Sequence, residues 1–415
     1  MRIAFDGTTL RPERTGVGYY TEHLLEHLAR RGDDDLIVVS NRPIDTTAPL
    51  PGHVRIAVPN SRLPRMAWMQ MVAPRTLREL DVDVAHFTNG MLPIASSTPS
   101  VVTIHDMSLT MYPRYHPLRR VLLNRPLVDI AARRATAVIT VSESAKRDIV
   151  RIYGLDQSRV HVVHEAAAPA FRPVCDLAEL NRVRRRYGLA DRVILYVGTI
   201  EPRKNLPRLI DAFALRRRAG DLKHQLVCVG RYGWRSRGIG ARIEHARVAD
   251  AIAFTGYVPF EDLPALYNLA EMFVFPSLHE GFGLPVVEAM ACGVPVIAGR
   301  TSSLPEVAGG AVEHVDPIDE EALGEAMVRL ARSREHRDHL ATLGLRRARM
   351  FSWERAARET VDVYRQVARQ PAGAVRVEAP AAFAAGVSGV QSVSVSLDPA
   401  AGSHAARESR QPWVR

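Results

Sequence analysis

The sequence predicts an α/β protein built from two halves, each a mostly parallel sheet covered by helices on both faces. Three observations carry this. At 415 residues the chain exceeds what one ordinary core organises, so two domains are the starting expectation. Short apolar runs alternate with helical patterns in two series, one opening at Arg2 and one at Val193, and such alternation builds parallel sheets. Between the series the stretch AAAPAFRPVCDLAEL interrupts both periods. We therefore expect an N-terminal domain over 1–168, a linker with an introductory helix over 169–191, and a C-terminal domain over 192–351. A crossing helix over 352–370, anchored by Trp353, and a disordered tail over 371–415 complete the division.

In the first half, Arg2–Asp6 reads as a strand. A loop leads to Gly16-Val17-Gly18-Tyr19-Tyr20, where a helix begins with Leu24, Leu25 and Leu28 on one face. Strand, glycine loop and helix start form the layout of a phosphate-binding turn. A dinucleotide fingerprint needs a third glycine where Thr21 stands, so Gly16 and Gly18 are candidates on layout alone. Further strands are expected at Leu36–Ser40, Val54–Val58, Val84–Phe87, Val101–His105 and Ala137–Ser142, with helices including Arg65–Leu80 and Leu118–Arg134. His105 and Asp106 close a strand, and ligands of open α/β sheets sit beyond strand carboxyl ends. The structural alternative is that the pair caps the next turn. Ser142 reads as a helix N-cap.

In the second half, strands are expected at Val193–Val197, Gln225–Val229, Ile252–Thr255, Met272–Phe275 and Pro295–Ala298. Gly198-Thr199-Ile200-Glu201-Pro202-Arg203-Lys204-Asn205 follows the first of them. A small residue, a turn, two adjacent cations and a helix start suit a diphosphate. Arginine offers a fork to phosphate oxygens and lysine a compact charge. The basic residues number 55, and lysine occurs only at 146, 204 and 223, so a lysine retained here is informative. Gly256-Tyr257 ends another strand, and the Tyr257–Pro259 segment is expected to border the base of a nucleotide ligand, an ordinary turn being the alternative. The stretch His279–Pro295, HEGFGLPVVEAMACGVP, closes the run MFVFP and opens a helix through Val286–Ala291. Gly281, Phe282, Gly283 and Leu284 lie beside that helix start, where free N–H groups and the helix dipole favour an anion. Glu280 and Glu288 flank them and offer carboxylates for two sets of hydroxyls.

This last stretch resembles the E-x7-E signature of retaining glycosyltransferases of family 4. The resemblance implies the GT-B fold: two Rossmann-like domains facing a cleft, with a C-terminal helix returning to the N-terminal domain. It implies a nucleoside-diphosphate sugar as donor, Glu280 on sugar hydroxyls, Glu288 on the ribose, and His105 facing the transferred sugar. Lys204 matches the family's phosphate lysine. The arginine that commonly follows the glycine directly is Thr199 here, and Arg203 is expected to replace it. The phrase VGTIEPRKNL looks like bacterial mannosyl- and rhamnosyltransferases of surface polysaccharides, with GDP-mannose as the first expectation for the donor. No cofactor or metal is expected. Asp81-Val82-Asp83 offers a D-x-D, but it precedes a buried strand, and a GT-B enzyme needs no such metal.

Composition bounds the partners. The chain is 47% hydrophobic and 24% charged, and it lacks a run of about 18 apolar residues that a span requires. Cys175, Cys228 and Cys292 are too scattered for a disulfide framework, which points to a reduced cytoplasmic compartment. The net charge of +10 suits phosphorylated substrates or an anionic membrane surface; no nucleic acid is expected. An acceptor glycan, lipid-linked at the inner face of the membrane, fits this. Arg62, Arg65, Trp68, Met69, Arg75 and Arg78 put cations and apolar groups on one helix that would dock on lipid; a core-facing helix is the alternative. Three other activities remain open: a sugar-nucleotide 2-epimerase, a phosphorylase-like enzyme and a non-catalytic sugar-nucleotide sensor.

Overall fold

A computed structural model describes residues 1–59, 61–234 and 238–369; the expected tail, 371–415, lies outside the described residues. The N-terminal sheet comprises β1 (Arg2–Asp6), β2 (Asp35–Val39), β3 (Arg55–Ala57), β4 (Val84–Phe87), β5 (Ser100–Thr103), β6 (Ala137–Thr140) and β7 (Val160–Val162). The C-terminal sheet comprises β8 (Val193–Val197), β9 (Gln225–Val229), β10 (Ile252–Gly256), β11 (Met272–Phe275), β12 (Val296–Gly299) and β13 (Glu313–Val315). Their spatial orders are β3-β2-β1-β4-β5-β6-β7 and β10-β9-β8-β11-β12-β13. The pairings are parallel in both sheets.

Each order reverses once, between β1 and β4 and between β8 and β11. At such a switch point the connections leave in opposite directions and open a crevice at the carboxyl ends of the strands. The strands there are apolar because both faces are covered: all four residues of β11 are buried.

One hydrophobic cluster runs from Ile3, Phe5 and Val101 on one face of the N-terminal sheet into the C-terminal domain. The opposite face, with Ala4, Ile37 and Val102, packs on Trp68, Leu77 and Ile149. The helix Trp353–Ala368 seals the first face. Ser352 caps its N-terminus by accepting from Arg355 N–H, Trp353 lies 5.9 Å from the Tyr20 ring, and the Tyr364 hydroxyl meets His86 Nδ1 at 2.6 Å. The helix thus returns to the N-terminal domain, as the resemblance implies.

Three sequence expectations need correction. β7 and β13 were not anticipated; three residues each is too short for a period to show. The expected helix Arg65–Leu80 is two helices, Arg65–Met71 and Ala73–Leu80. Pro74 supplies no N–H and its ring crowds the carbonyl of Gln70, so the chain restarts there. Finally, Trp68 and Met69 are 1% and 2% exposed, so they belong to the core and not to a lipid-facing stripe.

Candidate active site

The turn after β8 is built by close backbone contact. A Cβ on Gly230, which follows β9, would lie 2.1 Å from Gly198 O. The chain then turns through Pro202–Lys204 to Asn205, at φ +60°. Asn205 holds this left-handed conformation by donating from Nδ2 to Pro276 O at 3.1 Å and Pro317 O at 2.6 Å. The next helix, Leu206–Arg218, starts there. The two cations therefore face the end of β11.

Glu280 collects both. Lys204 Nζ donates to Oε1 at 2.7 Å and an Arg203 guanidinium nitrogen to Oε2 at 2.9 Å. Arg203 also donates to His279 O at 2.6 Å and to Glu201 Oε1 at 2.8 Å. Ser277 Oγ donates to Glu280 at 2.5 Å. Burial alone would raise the Glu280 carboxyl; Arg203 and Lys204 hold it below the usual carboxylate range. The cations are thus paired with Glu280 and Glu201 in this structure, whereas the sequence reading had them open to a phosphate. Lys204 Nζ also stands 4.9 Å from the centre of the Phe275 ring.

The next residues join the two domains. A Cβ on Gly281 would lie 1.9 Å from His105 O, so only glycine lets the loop after β11 reach the end of β5. Ser142 Oγ donates to Gly281 O at 2.6 Å while accepting from Ala145 N–H at 3.0 Å. It is both the expected cap and a domain contact. Gly283, at φ +100°, starts the helix Leu284–Ala291 and packs under Leu304. The Phe282 side chain is buried against Phe351, so only its backbone remains available to a ligand. Leu284 is the first helical residue and packs against the core.

Glu288 lies one turn further on. Its carboxylate accepts from the Tyr267 hydroxyl at 2.7 Å. Burial, with Glu165 adding to it against the Tyr267 bond, pushes this carboxyl up to about 7. Near it, burial and the neighbouring Tyr257 hydroxyl push the Tyr19 hydroxyl up. Tyr257 itself lies under the Arg231 guanidinium, 4.5 Å from its ring centre, and Arg231 pairs with Glu13 across the cleft at 2.7 Å. Gly16 opens the helix Gly16–Arg31, whose N-cap Thr15 makes no side-chain capping bond. Gly18 is held 3.2 Å from Thr9 O at its Cβ position.

On the N-terminal side, Asp106 Oδ1 accepts from Ser108 N–H at 2.8 Å. Burial opposes its charge, but Arg203 holds the carboxyl well below the usual range. His105 contacts Glu165 through Nδ1 at 3.2 Å and Thr88 O through Nε2 at 3.0 Å. The site residues thus fall into two groups: Arg203, Lys204, Glu280 and Asp106, and Glu288, Tyr257 and Tyr19. His105 and Glu165 stand between them. Sequence reasoning missed Glu165, Glu201, Asn205, Tyr19 and Tyr267. Recognition of Val160–Val162 as a strand was the available signal for Glu165, since it places that residue just past a carboxyl end.

Asp81 and Asp83 lie at the amino end of β4, away from the cleft. Asp81 is exposed, and Asp83 accepts from Arg2 N–H at 2.7 Å. Among the described residues, no group of three or more His, Cys, Asp or Glu is arranged to hold a metal.

Residues 14–169 match the family model Glycosyltransferase Family 4, and residues 181–346 match Glycosyl transferases group 1. O-antigen chain mannosyltransferase B of Escherichia coli is 31% identical over 383 residues, covering 88% of this chain and 100% of that protein. The chain belongs to glycosyltransferase family 4. The MMP alpha-(1->4)-mannosyltransferase of Mycolicibacterium hassiacum is 28% identical, over 88% of this chain and 98% of its own length. Sucrose-phosphate synthase from Thermosynechococcus elongatus superimposes on the glycosyltransferase with a TM-score of 0.69 at 22% identity, covering 88% and 98% of the two chains. WaaG, a glycosyltransferase involved in lipopolysaccharide biosynthesis, gives 0.68 at 18% identity, covering 87% and 99%. These neighbours share the GT-B fold with the present glycosyltransferase.

Proposed function

We propose that this glycosyltransferase moves a hexose, mannose first and rhamnose second, from a nucleoside-diphosphate sugar to a hydroxyl of a glycan in surface polysaccharide synthesis, with retention at the anomeric carbon. The observation that carries this is the convergence of Arg203, Lys204 and Glu280 beyond β8 and β11, opposite His105 and Asp106. The similarity to O-antigen chain mannosyltransferase B supports mannose, and GDP-mannose is the proposed donor.

In this reading the donor diphosphate displaces Glu280 from Lys204 and Arg203, and the freed carboxylate takes sugar hydroxyls. Glu288 holds the ribose and Tyr257 borders the base. The bond from the anomeric carbon to the diphosphate oxygen breaks while the acceptor oxygen attacks the same face, and the leaving oxygen takes the acceptor proton. The leaving charge is stabilised by Lys204, Arg203 and the N–H groups of Gly281–Gly283, without a metal. Thermal stabilisation across a panel of nucleotide sugars, followed by anomeric analysis of the product, tests this. Stabilisation by none of them, or an inverted product, ends the reading. Product formed from donor alone would instead indicate an epimerase.

The proposed acceptor is lipid-linked. Among the described residues no helix is long and apolar enough to cross a membrane. The helix Leu118–Arg134 nevertheless leaves Leu118, Leu122 and Leu123 exposed beside Arg119 and Arg120. This face, in place of Arg65–Leu80, would meet an anionic bilayer. Co-sedimentation with anionic but not zwitterionic vesicles, lost on Leu122→Ser with Leu123→Ser, is the expected outcome.

A further inference from the structure

Two histidines of the N-terminal domain, one buried in β4 and one half-buried just past β5, have opposite surroundings. His86 contacts the Tyr364 hydroxyl through Nδ1 at 2.6 Å and the Thr103 hydroxyl through Nε2 at 2.7 Å. A hydroxyl either donates or accepts, so a neutral ring satisfies both bonds. Burial, and then the charge on His105, push His86 down to about 3. His105 has no such freedom. Its Nε2 faces the Thr88 carbonyl oxygen and its Nδ1 faces the Glu165 carboxylate. The carbonyl has no proton to give, and an ionised Glu165 has none either, so with that carboxylate charged both ring nitrogens donate. A ring with two N–H groups is an imidazolium.

The other groups around the ring fit a cation. Tyr20, from the helix Gly16–Arg31, meets the ring edge-on at 4.6 Å. Asp106 adjoins it in sequence, and its charge favours protonation. His86 is neutral and so sets no positive charge against the ring. From the C-terminal domain, Gly281 abuts the His105 carbonyl, and Glu288 acts beyond Glu165. Burial works against the charge on His105, and the Glu165 bond and charge outweigh it. Glu165 reaches the cleft from the chain just after β7, where the preceding His164 turns to Glu306 at 3.2 Å.

We propose that Glu165 is a positioning residue for the transfer: it keeps His105 protonated and its ring fixed, so that His105 serves as a standing positive charge beside the leaving diphosphate and not as a base. The catalytic half of this statement rests on the glycosyl-transfer reading; the protonation state does not.

The test uses the full chain labelled with 15N-histidine. Two-bond proton–nitrogen spectra distinguish an imidazolium from either neutral tautomer, and His105→Gln assigns the signal. At neutral pH the wild-type signal should be that of an imidazolium. In Glu165→Gln it should become a neutral tautomer, and Glu165→Asp should restore the charge in part. A thermal melt of each variant confirms folding. In parallel, the alkaline limb of the transfer rate should move toward acid by about one pH unit or more in Glu165→Gln, a tenfold effect at a fixed alkaline pH. A neutral His105 in the wild type, or an imidazolium persisting in Glu165→Gln, overturns the proposal. A changed spectrum with an unchanged pH profile overturns the positioning role. If no nucleotide sugar is turned over while the spectra behave as expected, the transfer reading fails and the electrostatic pair stands.

Discussion

Lys204 and Glu280 form one ion pair, but their removal should have opposite effects. In the proposed donor geometry Lys204→Ala takes away a phosphate contact, so affinity for the free nucleoside diphosphate should fall by about 10- to 100-fold, the worth of a charge-assisted hydrogen bond. Lys204→Arg should recover part of it, since a planar fork replaces a compact ammonium poorly. Glu280→Gln removes the carboxylate that occupies the cations. It should tighten the free nucleotide while slowing transfer, and calorimetry beside single-turnover assays reads the two separately. Weaker nucleotide binding in Glu280→Gln would mean that Glu280 contacts the ligand from the start. Glu288 carries the pH dependence. Its folded value of about 7 lies above the ordinary value of 4.5. The folded protein therefore binds this proton more tightly than the unfolded chain, and stability falls as pH rises from the lower value through the upper one. Nucleotide affinity should rise over the same upper range, because in the proposed geometry the ribose hydroxyls bond to the ionised carboxylate. Glu288→Gln should flatten both curves; an unchanged affinity profile would detach Glu288 from the nucleotide.

At the scale of elements, the loop after β11 is placed as much by the other domain as by its own. Gly281 has no room for a methyl against His105 O. Glu306, in the C-terminal domain, accepts from Glu143 N–H at 2.8 Å and Ser144 N–H at 2.9 Å, and so caps a helix of the N-terminal domain. Gly281→Ala should wedge the domains apart. A displacement of roughly 1 Å at the reacting groups costs on the order of 100-fold in rate. Small-angle scattering should show a larger radius of gyration for Gly281→Ala, and an unchanged radius with full activity would exclude the wedge. These contacts also mark the limit of what the sequence displayed. The strand ends bearing His105, Lys204 and Glu280 were legible because long apolar runs and flanking glycines announce them. Glu165 and Glu306 were not, since their partners lie 60 and 163 residues away and neither sits in a recognisable pattern. Pro74 was visible, yet the apolar spacing around it outweighed the break it causes.

The whole molecule is crossed twice by its own chain, once after β7 and again before Trp353. The second crossing places Trp353 and Tyr364 in the N-terminal core. Trp353→Ala should cost about 3–5 kcal/mol in denaturant titration. Tyr364→Phe leaves one side of the buried His86 unpaired and should cost about 1–3 kcal/mol. If both variants unfold as the wild type does, the helix is only laid on the surface. Two crossings let the domains swing about a line through both, but they oppose twisting or sliding, which suits a cleft that must return to one geometry. The same arrangement delays completion on the ribosome. The N-terminal sheet is finished at Val162, yet the helix that seals it begins at Trp353, about 190 residues later. At typical synthesis rates its apolar face stays unsealed for roughly 10–40 s. The nascent chain thus exposes aggregation-prone surface for as long as the whole C-terminal domain takes to be made.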